Sequence, residues 1–524
     1  MDVPLALQVT VALAAVTLYL IYRHFTEHFD YWEKKGVVFV KPWPVLGSMK
    51  EVLMVREHLA EFFERLYIEN KPHTYFGYFM GKKPGLVITE PEMIKHVLIK
   101  DFSHFVDHGF DIHEEADPMQ AKNLFFLEGQ RWRNMRAKLV PTFTSGKMKG
   151  MLPLMLDVAK EFESKLEVLA KETEEFELRR LFACFFTDIV GTCIFGIQCN
   201  SIKDPDVEFR RVSRRLIELD LKGAMKAMVT FFVPELAFKL KLGLIDKEAT
   251  NFFRKLVKDV MDMRKASGSS RKDFMQLLIE LKEKGQVATD EADLHEIKGE
   301  VTSSDTNIKL THDDLTAQAT VFFLAGFDTS SSVSSYACME LALNPDVQKK
   351  LQDHIDEVLE KHQGKVTYEA LKEMKYLECV LNETMRIHPV VANHIRKCNT
   401  KYTLPGTDLE IDPGVLINVP VSALNKDPKY FPNPLKFDPD RFLDEQVVQQ
   451  TQFIFTPFGI GPRQCIGNRF AKLQSKLGLV TILRKFTLNL GSKTQLPLKL
   501  DKRQFIAAVQ GGCWVTLTPR NVNY

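Results

Sequence analysis

From Val3 to Tyr22 the chain runs twenty residues without a charge, and only Gln8, Thr10 and Thr17 interrupt the apolar run. About 20 such residues at ~1.5 Å each span the hydrocarbon core of a bilayer, so the stretch predicts one transmembrane helix over 3–22. A cleaved signal peptide is the rival. It fits worse, because Asp2 stands where a basic n-region would be and the bulky Leu18-Tyr19-Leu20-Ile21-Tyr22 offers no small-residue cleavage site. Arg23, His24, Lys34 and Lys35 follow the span, and the positive-inside bias then places the rest of the chain on the cytosolic side. Residues 23–48 read as a basic hinge stiffened by Lys41-Pro42-Trp43-Pro44-Val45-Leu46-Gly47, since each proline fixes φ and biases its predecessor to extended geometry.

Between Thr142 and Leu281 helical spacing dominates, as in Phe252-Phe253, Leu256-Val257 and Val260, with charges on the other faces. Strand-like runs are short and lie towards the two ends: Thr74–Tyr78, Leu86–Ile88, Leu416–Val419 and Cys513–Leu517. The pattern predicts a mainly α body with a small peripheral sheet region. Met228–Leu244 is apolar but broken by Pro234 and dotted with Lys239 and Lys241, which suits an interfacial segment or a buried helix pair about a proline turn. Gly285–Asn307, with Ser303-Ser304-Asp305, reads as a long surface loop. The run Thr329–Ser335 is rich in serine yet flanked by apolar helical residues, so it reads as mid-helix, where small side chains allow something flat to approach.

Composition narrows the class. Hydrophobic residues are 45% and charged residues 26% of 524, ordinary for a folded, water-facing body. The net charge of +2 gives no global argument for nucleic-acid binding. The 38 Phe against 12 Tyr and 4 Trp indicate either a greasy cavity or a Phe-rich core. None of the eight cysteines forms a CxxC or other zinc-ligand spacing, which argues against structural zinc and for free thiols in a reducing compartment.

The sharpest local signal is Phe458-Gly459-Ile460-Gly461-Pro462-Arg463-Gln464-Cys465-Ile466-Gly467, ahead of an amphipathic helix predicted from about Asn468 to Lys485. Gly461 permits a tight turn and Gly467 lets backbone approach a planar partner. A helix N-terminus offers Cys465 free amides and a positive dipole end that stabilise S⁻. On chemistry alone a catalytic nucleophile and a haem ligand are both open, with a buried structural thiol the default for an isolated cysteine.

These ten residues match FxxGxRxCxG, and beyond the anchor the sequence resembles the cytochrome P450 family over nearly its whole length. Three further motifs precede them in the family's order, with a fourth upstream of those. Ala325-Gly326-Phe327-Asp328-Thr329-Ser330 resembles the distal (A/G)Gx(D/E)T(T/S) motif, and Glu383-Thr384-Met385-Arg386 resembles ExxR. Phe437-Asp438-Pro439-Asp440-Arg441-Phe442 resembles the segment whose arginine completes a Glu-Arg-Arg triad, and Trp132-Arg133-Asn134-Met135-Arg136 supplies a WxxxR upstream. The hinge departs from the family, reading Lys41-Pro42-Trp43-Pro44 in place of the commoner Pro-Pro-Gly-Pro.

The resemblance implies one large haem domain over 49–524 that binds haem b (iron protoporphyrin IX), with Cys465 as axial thiolate. It nominates Trp132, Arg136, Ala325, Arg396, Phe458, Arg463 and Gly467 as further haem-binding residues, the cations meeting the two propionates. Glu383 and Arg386, i,i+3 on one helix, can pair and reach the loop of Arg441, a structural triad that fixes the cysteine loop. Thr329 can back-bond to the carbonyl of Ala325 and open a notch, where Asp328 recharges the proton delivery that O2 activation requires. Phe110, Phe125, Phe126, Phe322, Phe323, Val390 and Val391 are the implied pocket lining, which favours lipophilic substrates.

The implied activity is insertion of one atom of O2 into lipophilic small molecules. Electrons would come from NADPH through a partner flavoprotein, NADPH-cytochrome P450 reductase, with cytochrome b5 as a second donor. A local basic face (Arg131, Arg133, Arg136, Lys138, Lys147, Lys149, Arg469, Lys472) would suit that acidic partner. The implied location is the endoplasmic reticulum membrane, single-pass. In detail the chain looks most like insect members that oxidise plant toxins and insecticides; oxidation of an endogenous lipid or hormone is the alternative. A haem-thiolate isomerase fits less well because the acid–alcohol pair is intact, and a membrane-tethered binding protein is the non-enzyme reading.

Overall fold

The computed structural model describes residues 4–110, 112–216, 221–287, 293 and 309–521. Val3 and most of the expected Gly285–Asn307 loop, Ser303-Ser304-Asp305 included, lie outside them. The apolar N-terminal stretch forms helix α1, Leu5–Thr26, whose 22 residues reach about 33 Å. No side chain of α1 is buried against the protein, and Thr10 and Thr17 turn their hydroxyls back to Ala6 O and Leu13 O at 2.8 Å, so its polar groups are satisfied within the helix.

The expected 23–48 hinge is shorter than the sequence suggests. From Tyr31 onward the chain is docked: Trp32 is fully buried, its ring fills the space over Gly77, and its Nε1 donates to Tyr78 O at 3.2 Å. An apolar ring of that size, once packed, makes the segment part of the body.

Strand β1 (Tyr75–Met80) pairs antiparallel with β2 (Lys83–Ile88). The helical body follows with α2 (Gly129–Leu139), α3 (Ser145–Glu172), α4 (Leu178–Val190), α5 (Lys247–Ser267), the central α6 (His312–Leu343) and α7 (Lys375–Ile387). Strands β3 (His394–Lys397) and β4 (Leu416–Val419) complete a sheet in the order β1-β2-β4-β3, with β4 parallel to β2. Helix α8 (Asn468–Leu483) precedes β5 (Phe486–Leu490) and β6 (Trp514–Pro519), which pair beside Phe176–Glu177.

Helix α6 starts on a capping box between Thr311 and Asp314 and passes through the core, every residue from Ser330 to Leu341 being buried. The serine-rich run is therefore helix interior. Its small side chains let α4 approach; a Cβ on Gly326 would sit 3.2 Å from Val190 Cγ2. Nine of the 38 phenylalanines pack into two clusters. One joins Phe162, Phe182, Phe185 and Phe186; the other joins Phe195, Phe209, Phe253, Phe323 and Phe327. Met228–Leu244 spans the end of one helix (Leu221–Phe232) and a second (Pro234–Lys239) that starts on its proline, with Met228, Leu236, Phe238 and Leu240 exposed.

Candidate active site

The loop ahead of α8 is a tight cradle. Gly459 and Gly461 have φ of 72° and 75°, and a Cβ on Gly461 would lie 2.0 Å from Leu98 O, so no other residue fits there. Gly467 meets no such protein wall, its nearest neighbour being Phe143 at 3.8 Å. The Cys465 N–H donates to Phe458 O at 2.8 Å, closing the turn. All eight cysteines are described and free; seven are buried and Cys465 is exposed.

Its thiol does not behave as the helix-terminus argument alone expects. Although Cys465 is exposed, the protein mass around it pushes the pKa up. A hydrogen bond from the Gly467 N–H and the charge of Arg136 push it down, and they do not win. The nest prepares the sulfur, and a cation bound to it would complete the ionisation.

Glu383 and Arg386 on α7 are fully buried and joined by two bonds, Arg386 Nε to Oε2 at 2.7 Å and Nη2 to Oε1 at 2.8 Å. Arg441 Nε adds a third at 3.0 Å, and the Asp438 N–H a fourth at 2.9 Å. The carboxylate is thus the hub. Arg386 reaches onward to Asn425 O (2.8 Å) and Lys436 O (3.4 Å), pinning the chain that leads towards the cysteine loop.

A basic wall gathers from three segments. Arg463 is nearly buried, its guanidinium 4.1 Å from the Trp132 ring and bonded to Val106 O, Leu124 O, Phe125 O and Leu127 O. Burial, reinforced by repulsion from Arg396, lowers its pKa to about 9. Arg396 is buried with Nε lacking a protein partner among the described residues, and burial lowers its pKa to about 10. His394, two residues earlier on β3 and so on the same face, is held near 4 by burial and by Arg396. His108 is pushed well down by burial and by Arg396 and Arg463. A surface this rich in buried donors, one of them orphaned, suits carboxylates.

On α6, Thr329 Oγ1 donates to Ala325 O at 2.7 Å, as its spacing predicts. Ala325 is exposed although it lies mid-helix. Gln474 of α8 donates to Gly326 O and to Ser330 Oγ, both at 2.7 Å, so the cysteine helix grips the central helix beside Thr329. Asp328 accepts from Arg179 Nη2 of α4 at 2.7 Å.

Comparison with known proteins decides the family. The sequence model described as Cytochrome P450 matches residues 38–512. The chain belongs to the cytochrome P450 family. It is 39% identical over 530 residues to cytochrome P450 9e2 of Blattella germanica, covering 98% of both chains. It is 38% identical over 512 residues to probable cytochrome P450 6a14 of Drosophila melanogaster, covering 97% of this chain and 98% of that one. The family is one of haem-dependent monooxygenases, and the chain is an oxidoreductase of that kind.

Within this P450 the expected pocket residues divide. Phe110, Phe125 and Phe126 form one aromatic group with centroids 5.0–6.2 Å apart, Phe125 exposed. Val391 is exposed and Val390 buried, its carbonyl accepting from Ala507 N–H at 3.2 Å. Phe322 is half-buried against Phe143 and Phe274. Phe323, about 100° round the helix from Phe322, is fully buried among Phe195, Phe209 and Phe253.

At least four of the eight residues of the expected basic face are engaged within the protein. Arg131 pairs with Glu114 at 2.9 Å, Lys149 pairs with Glu369, and Lys472 pairs with Glu378 at 2.8 Å. Lys138 is buried, its Nζ on Gly285 O at 3.2 Å. Arg179, Gln474, His108 and His394 went unread in the sequence; only His394-Ile395-Arg396, an alternation on one strand face, carried a signal.

Proposed function

We propose that Cys465 is the axial thiolate of haem b and that this P450 inserts one oxygen atom of O2 into lipophilic molecules, xenobiotics such as insecticides and plant toxins among them. The observation that carries the reading is the one open thiol, set in a glycine cradle beside a wall of buried cationic donors. The residues fit the group. No three His, Cys, Asp or Glu side chains among the described residues could hold a bare ion, so a lone thiolate suits iron already gripped by a macrocycle. The orphaned Arg396 Nε, with Trp132, Arg136 and Arg463 around it, would meet the propionates, while Ala325, Phe458 and Gly467 leave room for the ring.

Bound haem supplies the reductive activation of O2 and the transfer of one of its atoms to substrate. The chain supplies protons and position. Thr329 Oγ1, anchored on Ala325 O, offers a hydroxyl at the notch; Asp328, kept in place by Arg179, reloads it; Glu383, Arg386 and Arg441 hold the cysteine loop rigid. Electrons arrive from NADPH through cytochrome P450 reductase, with cytochrome b5 as a second donor. The catalytic body lies on the cytosolic side of the endoplasmic reticulum membrane, tethered by α1. The exposed Met228, Leu236, Phe238 and Leu240 support an interfacial contact, since Lys82 links Glu235 of their segment (3.4 Å) to His24 at the end of α1 (3.3 Å).

Turnover under ¹⁸O₂ with reductase tests the activity: one labelled atom in the product and one in water is the expected result, and unlabelled product would refute it. Many unrelated lipophiles shifting the Soret band supports the xenobiotic reading, whereas a response to a single endogenous lipid or hormone overturns it.

A further inference from the structure

The stripe of α6 that begins at the open Ala325 continues as Asp328, Ser332, Ser335 and Tyr336, at i+3, i+7, i+10 and i+11, all four buried. Apolar packing does not call for such a line of polar groups. It ends at a cavity of about 20 Å³ lined by Glu177, Arg179, Ser332, Tyr336, Ala508 and Gly512 among others. Such a volume holds one water, which needs ~10–15 Å³ by this measure. Tyr336 is 2% exposed, its ring stacked 4.5 Å from His388, and its hydroxyl has no hydrogen-bond partner among the described residues. Arg179 closes the other side, bonded both to Ser332 Oγ (3.2 Å) and to Asp328 (2.7 Å). Glu177, Arg179 and Gly512 are partly exposed and form the mouth.

We propose that this cavity is a built water site and the proton inlet of the enzyme: a water bound by Tyr336 passes protons from solvent through Ser332 to Asp328. The inference rests on the relay reading of Asp328 and Thr329. Arg179 keeps its own protons and holds the carboxylate in line. Each hop breaks one O–H bond and forms another, so water and the Ser332 hydroxyl end unchanged while Asp328 alternates between carboxylate and acid. One proton moves inward at each alternation of Asp328, and two alternations serve one turnover. Tyr336 is a positioning residue that binds the water.

Crystals of the full-length holoenzyme should show an ordered water about 3 Å from Tyr336 Oη, absent in Tyr336→Phe. With electrons supplied through reductase, Tyr336→Phe and the cavity-filling Ala508→Val should each raise peroxide released per NADPH about threefold and enlarge the solvent deuterium isotope effect. The carbon-monoxide spectrum and the substrate-induced Soret shift should stay as in the parent, and if Tyr336→Phe fails to take up haem, Ala508→Val carries the test. A dry cavity in the parent, or unchanged coupling in the variants, overturns the inlet. Asp328→Asn separates the two readings: uncoupling there but not in the cavity variants rejects the inlet alone, and no uncoupling in Asp328→Asn rejects the relay with it.

Discussion

Two residues carry opposite kinds of work. Glu383 is a buried carboxylate with four donors, and replacing it by alanine leaves Arg386 charged and unpaired in the core, which costs about 3–5 kcal/mol. Glu383→Ala should therefore yield protein without bound haem, read from the Soret absorbance of the purified chain; normal incorporation would refute the structural role. Thr329 touches no such network beyond its own helix, so Thr329→Ala should keep haem and substrate binding. It should divert electrons to peroxide, with roughly tenfold less product per NADPH. At this scale the sequence was most legible where partners lie three or four residues apart, as in Glu383–Arg386 and Thr329–Ala325, because helix geometry alone brings them together. Arg179–Asp328 and Gln474–Gly326 join segments more than a hundred residues apart, and no local spacing announces them. The raised Cys465 pKa was equally hidden, since desolvation is a property of the folded surroundings.

Between elements, α7 and α8 are clamped by Glu378, which meets Lys472 at 2.8 Å and Lys476 at 3.1 Å. Burial would raise the Glu378 pKa, but the two lysines overrule it and hold it down to about 2, whereas the more deeply buried Lys476 is itself pushed down by desolvation. The folded-state pKa lies below the ordinary 4.5, so the clamp's stabilisation is present above that pH and fades as pH falls towards about 2. Glu378→Gln should thus lower stability by about 1 kcal/mol at neutral pH, after allowance for solvent screening of a carboxylate more than a third exposed. Thermal unfolding of both proteins between pH 7 and pH ~3 should show the gap closing on acidification; a gap that widens would contradict the assignment. Element boundaries were read well where the apolar period was sustained. Leu416–Val419 was predicted as observed, and α8 ends at Leu483 where Lys485 was expected. Strands β3 and β5 were missed for different reasons: β3 has only four residues, three of them polar, whereas Phe486-Thr487-Leu488-Asn489-Leu490 alternates cleanly but follows directly on α8, whose helical period masks its start.

For the whole molecule, the anchor and the body are joined by a shorter tether than the prolines suggested. Truncation before His28 should leave a folded, haem-binding body that is no longer an integral membrane protein, whereas truncation to residue 49 removes the buried Trp32 and should destabilise the body by about 3–5 kcal/mol. Chemical denaturation of the two fragments checks this, and equal stability would refute the docking of Trp32. On the proposed reading the architecture serves one requirement: a single thiolate presented, rigidly and with space above it, to a large planar partner. Loop glycines, the Glu383 hub and the Gln474 grip all serve that presentation. The most direct test is the carbon-monoxide difference spectrum of the dithionite-reduced, full-length protein. The account predicts the strongly red-shifted Soret maximum of thiolate ligation, lost in Cys465→Ser; a well-folded, haem-loaded protein without that maximum, or Cys465→Ser retaining it, would contradict the assignment of Cys465.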